Sequence, residues 1–309
     1  MKRPLWCLEE SVALARGLDA SNSLLPESDL ASEHLRRDAR YCVSSDSIDE
    51  ILIGEGAAMT ELKRVVRRVA PAHATVLITG ETGSGKECVA QAVHRLCRRR
   101  CNALVSMNCA AIPEGLLEGE LFGYERGAFT GAQTAYPGKL KLADGGTLFL
   151  DEVGDMSMQA QAKILRALET REIFRLGANR SVPFDVRVIA ATNQPLTALA
   201  SGERFRKDLF FRLSVAHIRV PPLREHSEDI PVLANHYVRV FNRALDRSVR
   251  GFDAAAMALL RTYHWPGNVR ELRNAIEIAF INAEADHIGA DDLPEAVRAA
   301  PSGRSSIGR

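Results

Sequence analysis

The chain has 309 residues, room for two domains of roughly 100–200 residues each. Apolar residues are 46% and charged residues 26%, which excludes a largely disordered chain, a collagen-like chain and a coiled-coil rod. Net charge is +1, so bulk charge gives no support to a stand-alone nucleic-acid binder.

Residues 1–46 read as a short leader, with one amphipathic helix over 5–18 and a polar stretch over 21–29. That is too short for a second sizeable domain or a receiver domain. From 47 the texture changes. Short apolar runs at 75–79, 103–107, 147–150, 186–190 and 217–220 read as buried strands, and helix-period segments lie between them. In 86–100, Val89, Val93 and Leu96 share one face; in 159–170, Ala160, Ile164 and Leu168 do the same. Strands alternating with helices predict an α/β fold with a parallel sheet covered on both sides. Pro221-Pro222 stops the pattern. Beyond it only helices are expected: one with Leu233, Tyr237 and Val240 on a face, one over 253–262, and one running to about Ala283. Asn268 as N-cap with Glu271 three residues on resembles a capping box for this last helix. The expected division is therefore an α/β unit over 47–222, a small helical unit over 223–298, and a disordered Pro/Ser/Gly/Arg tail over 299–309.

Two motifs carry chemistry. Gly80-Glu81-Thr82-Gly83-Ser84-Gly85-Lys86 follows a strand and opens a helix, the context a P-loop requires. Its glycines let the backbone wrap phosphate oxygens, while the amides and helix N-terminus supply partial positive charge. Lys86 would reach the β- and γ-phosphates. Glu87 stands where the generic motif has a magnesium-ligating Ser or Thr. The plain alternative, a Gly-rich turn, is set aside by the second motif. Gly145-Gly146-Thr147-Leu148-Phe149-Leu150 ends in Asp151-Glu152, an apolar strand closed by two acids, which is a Walker B pattern. Asp151 would hold Mg²⁺ and Glu152 would polarise the attacking water. ATP with Mg²⁺ is the expected ligand pair.

With Glu87 after the lysine and Glu120-Leu121-Phe122-Gly123 before Gly127-Ala128-Phe129-Thr130-Gly131-Ala132, the chain from about 48 to 298 closely resembles the bacterial enhancer-binding proteins. Those are AAA+ ATPases that activate the sigma-54 form of RNA polymerase. The resemblance implies an AAA+ P-loop core with a five-stranded parallel sheet and a small C-terminal helical lid. It makes the hexapeptide a surface loop that grips the sigma factor, with Phe129 and Thr130 as contacts. It matches Asn108 to the asparagine restraining the catalytic Glu152, and Thr192-Asn193 to sensor I. Arg206 and Arg212 match arginine fingers supplied to a neighbouring subunit, and Arg270 matches sensor II. A hexameric ring would then be part of catalysis, with hydrolysis driving closed promoter complexes open.

Family members commonly add a C-terminal helix-turn-helix, and the 26 residues after Ala283 are too few for one. Specific DNA binding by this chain is therefore not expected. The alternatives kept are an accessory ring subunit that co-assembles with a second, complete activator, and another AAA+ DNA-processing ATPase. Arg98-Arg99-Arg100 reads as helix-end charge rather than a DNA contact. His94, Cys97 and Cys101, with Cys109 or nothing as a fourth ligand, invite a metal reading, but ordinary reduced thiols are expected, with His94 and Cys97 on a helix beside core residues. Six Cys without paired spacing predict free thiols in a reducing cytoplasm. No apolar stretch nears the roughly 18 residues of a spanning helix, and Glu9-Glu10 interrupts any signal peptide.

Overall fold

A computed structural model describes residues 47–299, so the expected leader helix and most of the polar tail lie outside the described residues. In chain order, helix α1 (Ala57–Val69) leads into strand β1 (Val76–Thr79), helix α2 (Lys86–Arg95) and strand β2 (Leu104–Asn108). Helices α3 (Glu114–Phe122) and α4 (Lys139–Leu142) bracket a loop and precede β3 (Thr147–Asp151). After α5 (Met158–Thr170) comes an antiparallel pair, β4 (Glu172–Phe174) and β5 (Ser181–Pro183). Next are β6 (Arg187–Thr192), α6 (Leu196–Ser201), α7 (Lys207–Leu213) and β7 (Ala216–Arg219).

The five expected strands form one parallel sheet in the order β2-β3-β6-β1-β7. Every residue of β1 and β6 is buried, as strands covered on both faces must be. One apolar cluster, including Leu148, Leu150, Ala160, Ile164 and Leu168, packs on one side. Another, including Ile78, Val89, Val93 and Ile189, packs on the other. Parallel pairing puts all strand C-termini on one edge. Thr79 pairs with Thr192 and Asn108 with Asp151, so the residues following four strands converge there.

The lid comprises α8 (Ile230–Leu245), β8 (Gly251–Phe252), α9 (Ala254–Thr262), α10 (Asn268–Asn282), β9 (His287–Ile288) and α11 (Glu295–Arg298). It has its own core around Trp265, Leu272, Ile276 and Phe280. Three expectations need correction. The lid is not purely helical, because β8 and β9 pair in parallel; two-residue strands leave no periodic signal. The buried face of α8 runs through Leu233, Ala234, Val238 and Phe241, with Tyr237 only half-buried against it. Asn268 is also not the cap of α10. Gly267 is, and Glu271 accepts the Gly267 amide at 2.8 Å, which leaves the Asn268 side chain for other work.

Arg99 lies beyond the end of α2 and pairs with Asp185 at 2.7 Å, so this basic run is partly a structural tie. Cys88, Cys97 and Cys109 are free, whereas Cys101 is disulfide-bonded, against the expectation of free thiols. Among the described residues no group of three or more His, Cys, Asp or Glu is placed to hold a metal ion.

His94 is buried on α2, its Nδ1 2.9 Å from Thr147 Oγ1, and burial pushes its pKa down to about 4. The fold thus favours neutral His94, while the unfolded chain takes up the proton near 6.5. Its contribution to stability is intact above about pH 6.5 and is lost progressively as pH falls to about 4, a loss of roughly 3 kcal/mol. His94→Gln should flatten the acid limb of a urea-unfolding series between pH 7 and 4 by that amount. Parallel curves for the two proteins would refute it.

Candidate functional site

The P-loop joins β1 to α2. Gly80 has no room for a side chain, since a Cβ there would lie 2.9 Å from Ser84 Oγ and 3.1 Å from the Val220 carbonyl. Gly85 turns at φ +98° to start α2. Lys86 is buried, and its Nζ donates to Gly80 O at 3.1 Å and to Glu152 Oε1 at 3.0 Å. Ser84 Oγ is also buried and has no hydrogen-bond partner among the described residues, as fits a donor reserved for a phosphate oxygen. Glu87 is exposed in the first turn of α2, where a carboxylate complements the helix dipole.

The two acids follow from β3. Glu152 is held in the left-handed region, φ 51°, at a cost of about 1–2 kcal/mol for a non-glycine residue. Its Oε2 accepts the Asn193 amide at 2.8 Å, and Asn193 Nδ2 donates to Thr82 Oγ1 at 3.2 Å. Lys86, Glu152, Asn193 and Thr82 are therefore linked across the mouth of the loop. Burial, reinforced by the neighbouring Glu152 charge, raises the Asp151 carboxyl above its ordinary range. Two carboxylates beside one ammonium fit a divalent cation, and Asp151 is the residue that would hold it.

Asn108 ends the adjacent strand, in register with Asp151, and its Oδ1 accepts the Ala110 and Ala111 amides at 2.9 and 3.2 Å. Here Glu152 is held by Lys86 and Asn193, while Asn108 shapes the turn that leads into α3. Arg270 opens the lid helix, and its charge reaches Asp151, opposing the rise there. Arg206 pairs with Asp208 at 2.8 Å, and Arg212 donates to the Leu168 carbonyl at 3.0 Å. Both arginines lie on or beside α7, whose Phe211 is 72% exposed.

Beyond α3, Gly127 and Gly131 take φ of +82° and +107° with open space around them, so conformation and not crowding selects glycine. Phe129 is 42% exposed, its ring edge-on to Tyr124 at 5.0 Å; Thr130 is exposed and Ala132 buried. The loop base rests on the β4–β5 hairpin. Glu125 donates its amide to Leu176 O, and its carboxylate pairs with Arg175 at 3.0 Å.

Sequence reasoning missed two residues at the P-loop. Arg224, just past Pro221-Pro222, grips Glu81 with two bonds of 2.7 and 2.5 Å. Asn268 donates to Glu81 and to Thr82 O, both at 3.1 Å. Together these two hold the Glu81 carboxyl down to about 2. Neither has a local signal, because each partner is more than 140 residues away in the chain.

Comparison with known proteins gives the family of this fold. A family model described as the sigma-54 interaction domain matches residues 52–219, and one described as the AAA+ ATPase lid domain matches 224–307. The transcriptional regulatory protein ZraR of Salmonella typhimurium is 47% identical over 271 residues, 88% of this chain and 62% of that protein. The DNA-binding transcriptional activator HyfR of Escherichia coli is 47% identical over 85% of this chain and 38% of its own length. NtrX from Brucella abortus, solved in complex with ATP, superposes with a TM-score of 0.75 at 35% identity, covering 92% of this chain and 62% of that one. The chain thus spans less than two thirds of each of these relatives.

Proposed function

The chain belongs to the sigma-54-dependent transcriptional activators, a family of AAA+ P-loop NTPases, and from that premise we propose that it hydrolyses ATP to open sigma-54 RNA polymerase promoter complexes. In this reading the P-loop amides and Lys86 bind the phosphates, and Glu152 takes the proton of the attacking water. Asp151 would hold Mg²⁺, and the ion when bound would supply charge neutralisation at the phosphates. Asn193 and Arg270 attend the γ-phosphate. Arg206 and Arg212 serve a neighbouring subunit of a hexameric ring, so the exposed Phe211 face is the subunit contact.

The observation that carries the reading is one of connection. The strand end paired with Asp151 runs through the Asn108 turn and the single helix α3 into the loop bearing Phe129. A change at the phosphate site that frees Lys86 from Glu152 acts on a neighbour of Asn108, and α3 is the lever to the loop. Transmission through one packed element to a bistable loop is a general device of NTPases.

Open-complex formation tests it, using sigma-54 polymerase on a supercoiled sigma-54 promoter, at protein concentrations that assemble rings without enhancer DNA. Wild type should open the promoter with ATP. Thr130→Ala should still hydrolyse ATP and lose opening, because Thr130 lies on the exposed loop tip and outside the phosphate cradle. Hydrolysis without opening by the wild type would refute the remodelling role for this chain alone and favour an accessory subunit.

A further inference from the structure

Two carbonyls of the phosphate cradle are held from outside it. Thr82 O accepts Asn268 Nδ2 at 3.1 Å, and Gly83 O accepts the Arg270 amide at 3.2 Å. Both donors sit in the first turn of the lid helix α10. In a trans peptide the C=O and the following N–H point in opposite directions. A Thr82 carbonyl fixed on the lid therefore turns the Gly83 N–H to the opposite side, toward the cradle. The approach is tight, since a Cβ on Gly83 would lie 2.3 Å from Gly267 O.

Asn268 is wholly buried and uses its whole amide in this junction. Its Oδ1 accepts the Leu223 amide at 2.8 Å, where the chain enters the lid, and its two N–H groups go to Thr82 O and Glu81 Oε2. Its φ of 54° is one that asparagine tolerates better than most residues. Glu81 is held in turn by Arg224, which follows Leu223. The entry to the lid, the start of the lid helix and the P-loop thus meet at one amide.

We infer that Asn268 is a positioning residue for nucleotide phosphate: it orients the P-loop peptide groups from the lid, so phosphate affinity depends on lid position through a contact separate from the Arg270 side chain. This rests on the nucleotide-binding reading above. Coupling of this kind is reciprocal, so nucleotide that fixes the Gly83 peptide also fixes the lid.

Asn268→Asp is the test. Aspartate is nearly isosteric, keeps the acceptor for Leu223 and tolerates the same φ, yet removes both donors and sets a carboxylate against Glu81. Titration with a fluorescent ADP analogue should give a Kd raised about tenfold, the equivalent of one lost charge-assisted hydrogen bond. Turnover at saturating ATP should stay within about threefold of wild type, a KM effect without a matching kcat effect. Adding Glu81→Gln to Asn268→Asp relieves the carboxylate pair but leaves Thr82 O without its donor, so most of the lost affinity should stay lost, whereas a defect caused only by charge repulsion at Glu81 would be repaired. If Asn268→Asp does not fold, Glu81→Ala breaks the same junction from the half-exposed P-loop side and should weaken binding about fivefold. Binding within about twofold of wild type in the folded variant, or a double variant restored to wild-type affinity, would overturn the inference. A wild type that does not bind the analogue overturns the nucleotide reading itself, a different result from a binding wild type with an indifferent variant.

Discussion

Glu152→Gln is expected to lower ATP turnover by about 10²–10⁴-fold, the usual contribution of a general base, while nucleotide still binds. Glutamine has the same shape and can keep the Asn193 amide as a donor to its oxygen, a contact that is 2.8 Å in the wild type. It can neither take a proton from water nor hold Lys86 by charge. In the structure Lys86 Nζ lies 3.0 Å from Glu152, so phosphates must draw the ammonium away from a carboxylate. Removing that competitor should leave the affinity for ATP equal to or tighter than that of wild type. Phosphate release under steady state measures the first effect, and a fluorescent-nucleotide titration measures the second. A variant that keeps more than about a tenth of wild-type turnover would exclude Glu152 as the base. A variant that fails to bind nucleotide would mean that its role is structural.

The convergence of the P-loop with the two acids was legible in the sequence because its parts are short and contiguous. The P-loop is seven residues followed by a helix, and the Walker B acids close an apolar run; each can be read in a window of about ten. The five strands were legible for a related reason, since burial on both faces makes them continuous apolar runs, and their expected bounds differ from the observed ones by one or two residues. What escaped was long-range or very short. The β4–β5 hairpin that carries the loop base has three-residue strands. The β8–β9 pair has two-residue strands and becomes a pair only when residues 251 and 287 meet.

Asn268 shows why local rules fail at a junction. A polar residue before a helix with a glutamate three positions on fits a capping pattern, and caps are usually right at such places. Here the lid helix starts one residue early because Glu271 reaches back to the Gly267 amide. The asparagine is thereby freed to bond Leu223, Glu81 and Thr82, partners 45 to 187 residues distant. A helix cap needs an acceptor only. The amide at this position supplies donors as well, and that is the property the capping interpretation left unused.

The arginines of α7 give the second large effect, and a mixing experiment separates their action from a structural one. Arg206 and Arg212 are bonded to Asp208 and to the Leu168 carbonyl, with no contact to Lys86, Glu152 or Asn193 among the described residues. If Arg212 completes a neighbour's site, Arg212→Ala should lower turnover by about 10³–10⁵-fold, the contribution of an arginine finger, without preventing nucleotide binding. Loss of the Leu168 bond alone costs at most about 3 kcal/mol of the roughly 5–15 kcal/mol usual for a domain, so a folding defect is not the expected cause. Mixing then discriminates. Arg212→Ala subunits retain Glu152, and Glu152→Gln subunits retain Arg212; each protein is inactive alone. In a ring assembled at random from equal amounts, roughly a quarter of the sites pair a complete catalytic half with a neighbour's arginine. Recovery of turnover to that order establishes supply in trans. No recovery, with mixed rings demonstrated by differential tagging, places the arginine's effect within its own subunit, because no mixed site would then hold both groups. The exposed Phe211 provides the control: if the proposed ring contact includes that side chain, Phe211→Asp on the Arg212-bearing partner should abolish the recovery.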